Sequence, residues 1–233
     1  MRSSLFASLA AGFAGALALG AATAATAGVI DSTTYGACLG NTSCVVGGAI
    51  ITAGPDDPPP AATLTQQDFR GAKGLGVSYL PGVPAGSSNA DELQGGTGGS
   101  TETITVQFPL MAWVNSIAIT HFYNPDEFVN DPQEIALITG CNAAAECATL
   151  KITNLNNTGD PNTGFTVEGS ASVVRVSEFT GMFLITDLFP ELGPLVSLVF
   201  GAGVVPSGDN SDYSLHALDF TNVPVPGAAL LLL

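Results

Sequence analysis

Two cysteine pairs of identical spacing offer the first chemistry in this chain: Cys38 and Cys44 in CLGNTSC, and Cys141 and Cys147 in CNAAAEC. C-x5-C is not the oxidoreductase motif, and zinc sites use closer pairs or histidine partners. Neither histidine stands near a cysteine. An even cysteine count suits disulfides in an oxidising compartment. Four cysteines allow three pairings, and the sequence does not choose among them. Two local bridges are the expected arrangement, because each short span can close as a turn or a hairpin loop. Each would add roughly 2 kcal/mol in the chain-entropy model.

The other reactive side chains form no recognisable active site. His121 and His216 fall near the ends of expected strands, where a hydrogen-bonded structural histidine is the expected role. G-x-S-x-G and HExxH are both absent. Gly95, Gly96, Gly98 and Gly99 sit in a Ser/Thr-rich loop before a strand, with no lysine and no helix to make a phosphate cradle. With 20 Asp and Glu, accidental carboxylate pairs are inevitable, so none is assigned to glycoside hydrolysis. The acidic segment NPDEFVNDPQE holds Asp126, Glu127, Asp131 and Glu134, and GDNSDYS holds Asp209 and Asp212. Calcium takes six to eight oxygens, so these are the weak candidates for it; neither segment fits an EF-hand, and a solvated acidic loop is the plainer reading. The sequons at Asn41 and Asn156 are at chance level. No catalytic residue and no cofactor is expected.

The elements that would carry these residues read as strands. Short apolar runs recur between turn signals, with no long amphipathic helix. VVGGAIIT (residues 45–52) reads as the first clear strand, followed by the proline-rich AGPDDPPP. GLGVSYL is a further fragment, and DEL a short strand within a long Gly/Ser/Asn loop. TETITVQF alternates cleanly, with Ile104, Val106 and Phe108 on one face. AWVNSIAITHFY follows a Pro-Leu-Met link as a separate strand, and parity points Trp113, Ile117 and Ile119 inward together. EIALITG and CATLKIT flank the second cysteine pair, with Leu150 and Ile152 inward and Lys151 outward, so a bridge there would clip a hairpin. FTVEGSASVVRVSEF gives two strands, FLIT and LVSLVF two buried ones, and DYSLHALDF the last. The expectation is an all-β fold: one antiparallel β-sandwich, jelly-roll-like, over residues 28–222.

Charge and termini speak to location. The 233 residues carry five Lys and Arg against 20 Asp and Glu, for a formal charge of −15. Such a surface repels phosphate backbones and excludes nucleic acid as a partner. MRSS, the apolar LFASLAAGFAGALALG and the small-residue AATAATA form a secretory signal peptide over residues 1–27, with Ala25-Thr26-Ala27 fitting the A-x-A cut.

The chain closes on VPVPGAALLLL. Two prolines keep Val223, Pro224, Val225 and Pro226 extended and outside any helix or sheet interior. The seven apolar residues 227–233 would span about 10 Å as a helix, a third of a bilayer core. This stretch resembles the start of the PEP-CTERM class of bacterial sorting tails, in particular the VPLPA-CTERM variant. Val225 stands where that variant has Leu, and Gly227 where it has Ala. The resemblance covers about eleven residues and implies recognition by an exosortase-type membrane protease, with release or surface attachment afterwards. The rest of the helix and the basic cluster do not follow, so a truncated tail is expected. The functional expectation is an exported, secreted or outer-surface, non-enzymatic component of the cell surface or extracellular matrix. The alternative is a secreted carbohydrate-binding jelly-roll module with an extracellular polysaccharide as partner, calcium-dependent or not. Sugar binding needs an exposed aromatic platform, and an inward Trp113 weighs against it.

Overall fold

The computed structural model describes residues 25–54, 62–78, 92–95, 102–123, 134–155, 164–203 and 211–224. Ala25–Val223 forms one compact unit. The described strands are β1 (Ala27–Asp31), β2 (Ser43–Val46), β3 (Ala49–Gly54), β4 (Thr63–Phe69), β5 (Ala72–Ser78), β6 (Leu93–Gly95) and β7 (Thr103–Thr120). They continue with β8 (Ile135–Asn142), β9 (Cys147–Asn154), β10 (Phe165–Glu168), β11 (Ser172–Ser177), β12 (Met182–Thr186), β13 (Leu195–Ala202) and β14 (Ser211–Asn222). One 3-10 turn, Tyr35–Cys38, is the helical exception among the described residues. The all-β antiparallel sandwich expected from the sequence is therefore what the chain forms: every pairing is antiparallel.

Strand β7 organises the molecule. Its first part, from Thr103 to Gln107, pairs with β13 and β3, in the order β10-β9-β8-β13-β7-β3-β2. Its second part pairs with β12 on one side and β14 on the other. The far edge of β14 is shared along its length by β6, β5 and β1, with β4 outside β5. TETITVQF and AWVNSIAITHFY are thus one strand and not two. Pro109 fits inside it because the β13 ladder jumps from Gln107 to Ala112 there, so no rung needs its missing N–H.

The two groups of strands bury a common core. Ile104, Val106 and Phe108 face it, as their alternation predicts. So do Leu150 and Ile152. Phe165 of β10 meets Phe183 of β12 edge-on at 5.3 Å, and Phe122 packs between Phe183 and Tyr213. Phe122, Phe183 and Tyr213 are fully buried, and each contributes roughly 2–3 kcal/mol of transfer free energy, while Phe165 is partly buried. Tyr213 on β14 donates to the carbonyls of Leu137 and Gly201, so the buried hydroxyl is satisfied across the core. Arg175 of β11 donates to Asn154 Oδ1 of β9 at 2.8 Å, and Asn154 donates to the Phe122 carbonyl.

Two hairpins differ from the sequence reading. VVGGAIIT is not one strand: Gly47 and Gly48 have φ of 58° and 85°, so β2 turns directly into β3 through a two-residue type I′ turn. TLTQQDF, which carries no clean alternation, is β4; it turns into β5 through Arg70 and Gly71, again both left-handed. The short strand read over DEL is realised as β6, two residues further on.

Candidate functional site

The cysteines pair locally. Cys38 bonds Cys44, and Cys141 bonds Cys147. The first bridge closes a loop whose backbone lies along β4 and β3: Gly40 N donates to Leu64 O, Leu64 N to Asn41 O, and Ala53 N to Thr42 O. The second joins directly paired residues of the β8–β9 hairpin. Its turn is also held by Asn142 Oδ1, which accepts from the amides of Ala144 and Glu146.

His121 directly follows β7 in a left-handed conformation, φ 60°, fully buried. Its Nε2 lies 3.2 Å from the Ala72 carbonyl, which only accepts, so Nε2 carries the proton. Nδ1 then accepts from the Ser214 hydroxyl at 3.1 Å. Glu92 Oε1 lies 3.5 Å from the same Nδ1. A Ser, a His and a Glu are thus together, but not as a catalytic triad. Serine and acid converge on one nitrogen, whereas a triad puts them on opposite nitrogens. Ser214 is fully buried under the β5 backbone: a methyl on Gly74 would stand 2.2 Å from Ser214 Cβ. Burial pushes the imidazole down to about 4, against the raising effect of the Ala72 carbonyl. The ring is therefore neutral at neutral pH. His216 donates from Nδ1 to the Lys73 carbonyl at 2.6 Å.

Glu92 also belongs to a group the sequence does not suggest. It lies near Glu134, just before β8, and Asp212 of β14 hydrogen-bonds to both. A bond between two carboxyl groups needs a shared proton. Burial holds Asp212 above the ordinary carboxylate range, although its bonds to Glu134 and Glu92 act the other way. Two of the weak calcium candidates, Glu134 and Asp212, thus meet from separate acidic segments. Even so, among the described residues no set of three His, Cys, Asp or Glu is arranged to hold a metal ion. Asp126, Glu127, Asp131 and Asp209 lie outside the described residues.

The sorting-motif residues are described in part. Val223 N donates to Met111 O at 2.7 Å, which extends the β14–β7 pairing by one residue, and Pro224 is exposed. Val225 and Pro226 lie outside the described residues, as do Gly96, Gly98, Gly99 and the Asn156 sequon; Gly95 ends β6. Asn41 donates its amide to the Ala37 carbonyl.

Trp113 corrects the sequence reading most sharply. Parity placed it inward with Ile117 and Ile119; it is 50% exposed, while those two are fully buried. The cause is a bulge. Val114 pairs with Phe220 and Ser116 with Asp219, so Asn115 is an extra residue in β7. The inward set is Ala112 and Val114 before the bulge, Ile117 and Ile119 after it. Trp113 consequently shares the outer face with its partner Thr221. Asn115 Nδ2 reaches across that face to Asp219 Oδ1 at 3.3 Å and Thr221 Oγ1 at 3.1 Å. An indole beside fixed amide, carboxylate and hydroxyl groups can stack a flat ligand and hydrogen-bond its rim.

No family model, curated protein or solved structure matches this chain.

Proposed function

We propose that this chain is an exported, non-enzymatic component of the cell surface or extracellular matrix. The two cystines carry this reading, since such bridges persist in oxidising compartments. The leader-like residues 1–27, the acidic composition and the VPVP tail support it from the sequence. Among the described residues no helix is long and apolar enough to cross a membrane. In this reading the strands form a protease-resistant body, the cystines fasten its loops, and Val223, Pro224, Val225 and Pro226 present the sorting signal to an exosortase-type protease. The exposed Trp113 favours the second reading, a carbohydrate-binding module, as the way such a body would engage a matrix.

The test is expression of the gene in a bacterium that carries an exosortase-type protease, followed by fractionation and N-terminal sequencing. The expected product is outside the cytoplasm, begins at Gly28 and contains no free thiol. Reduced protein with an intact N-terminus in the cytoplasm would contradict the proposal.

A further inference from the structure

We propose that the outer face around Trp113 binds an uncharged polysaccharide, one pyranose ring stacking on the indole. The inference deepens the extracellular reading above and rests on it for its biological setting. Four side chains build the site: Trp113 and Asn115 from β7, Asp219 and Thr221 from β14. Trp113 is paired directly with Thr221, Asp219 lies on the same face two residues away, and the inserted Asn115 adds a fourth side chain beside them; bulges are common beside active sites, where they re-aim side chains. The polar groups are positioned before any ligand arrives. Asn115 uses its amide hydrogens on Asp219 and Thr221. Its own oxygen and the second Asp219 oxygen remain as acceptors. The Thr221 hydroxyl accepts from Asn115, which turns its proton outward as a donor. Sugar hydroxyls need this mixture of donors and acceptors, and the C–H face of a pyranose needs the ring.

Charge selects within the glycans. Asp219 stands at the site, and the whole chain carries −15, so polyuronates and sulfated chains are repelled. Met111, two residues before Trp113 on β7, is exposed and offers an apolar margin to a second sugar. A protein partner fits less well. Dry interface centres are depleted of charged groups, and such a partner would bury Asp219 beside the indole.

The test uses the purified, oxidised full chain in affinity electrophoresis through gels holding neutral glucans, mannans and galactans, with a polyuronate as the charged arm. Trp113 is the only tryptophan, so its emission reports binding in a parallel titration. At least one neutral glycan is expected to retard the protein and shift the emission. Trp113→Ala is expected to weaken retardation at least tenfold, Trp113→Tyr less, and Asp219→Ala several-fold. Val45→Ala, at an exposed position on β2, is expected to leave it unchanged. Melting curves confirm that each variant is folded. Four results would overturn the proposal: no neutral glycan retards the protein; the polyuronate alone does; folded Trp113→Ala binds as well as the parent; or the Trp113 substitution abolishes self-association in sedimentation while no glycan binds. Because binding is measured on purified protein, its failure leaves the export proposal standing, and failure of export leaves the binding result intact.

Discussion

Asn115 Nδ2 donates to Asp219 Oδ1 at 3.3 Å across the β7–β14 ladder, at the step where the register slips by one residue. The same amide reaches Thr221 Oγ1, so the inserted residue bridges two successive outward positions of the partner strand. Replacing Asn115 with Ala keeps the bulge and removes both bonds; the expected cost is about 1 kcal/mol, read from urea midpoints. Deleting Asn115 joins Val114, paired with Phe220, directly to Ser116, paired with Asp219, so the ladder closes as a regular alternation and each remaining residue keeps its face. The deletion is expected to cost no more than about 2 kcal/mol and to leave Trp113 exposed. A deletion variant with a buried indole, or a loss of more than about 4 kcal/mol, would contradict this register.

His121 gives the fold a specific acid sensitivity. Its folded value, about 4, lies below the 6.5 of an unhindered imidazole, because burial opposes its charge. Between those values the unfolded chain holds the extra proton, so stability falls as pH drops from about 6.5 toward about 4. Asp212, raised by burial, acts in the opposite direction: it favours the folded state in acid, and that contribution fades as pH rises through its folded value. His121→Asn isolates the histidine, since Asn tolerates the left-handed backbone at this position. The parent is expected to lose about 2 kcal/mol more than His121→Asn between pH 7 and pH 5, measured by urea unfolding. Equal losses would show that His121 does not titrate in this range.

Local patterns made much of this fold legible. The alternation of TETITVQF placed Ile104, Val106 and Phe108 correctly, and the flanks of the second cysteine pair gave the β8–β9 hairpin with its facing. The errors have physical causes. Gly47 and Gly48 were read as part of a strand, although a Gly-Gly pair between apolar runs is itself a hairpin signal. Strand β4 is half polar and offered no period to read. Pro109 suggested a break because the sequence does not reveal that the adjacent ladder skips that stretch. Trp113 was misplaced because one inserted residue reverses strand parity, and only the partner strand shows which residue is extra. The meeting of Glu92, Glu134 and Asp212 depends on three distant segments reaching one place, which no local spacing encodes.

The two cystines are expected to differ in importance. Each closes an equally short loop and contributes roughly 2 kcal/mol in the chain-entropy model. The Cys141–Cys147 turn retains its ladder and the Asn142 bonds when the bridge is removed. The Cys38–Cys44 loop carries the backbone bonds to Leu64 that cover β4. A Cys38→Ser, Cys44→Ser double variant is therefore expected to melt below the Cys141→Ser, Cys147→Ser pair and to exchange the Leu64 amide faster. The reverse order by calorimetry would contradict this assignment.

Arg175 is a buried cation that ties the two halves of the core. It bonds Asn154 at 2.8 Å, faces Glu178 at 3.5 Å and lies over the rings of Phe183 and Phe165. Burial lowers its pKa from the ordinary guanidinium value, against the pull of Glu178. Arg175→Ala leaves Asn154 Oδ1 without its guanidinium donor, although the amide keeps its bond to the Phe122 carbonyl, and opens a void beside two rings, for an expected loss of about 3 kcal/mol. Arg175→Met refills the volume and is expected to lose less. Denaturant midpoints order the two variants; Met no better than Ala would make the polar tie, and not the packing, the dominant contribution.

The reversal of facing along β7 is tested most directly by the accessibility of its single tryptophan. In the folded, oxidised protein, acrylamide is expected to quench Trp113 with an efficiency approaching that of the urea-unfolded chain, with solvent-like, red-shifted emission. Blue-shifted emission that acrylamide barely quenches would place the indole in the core and contradict the bulge, the outward face and the binding site built on it.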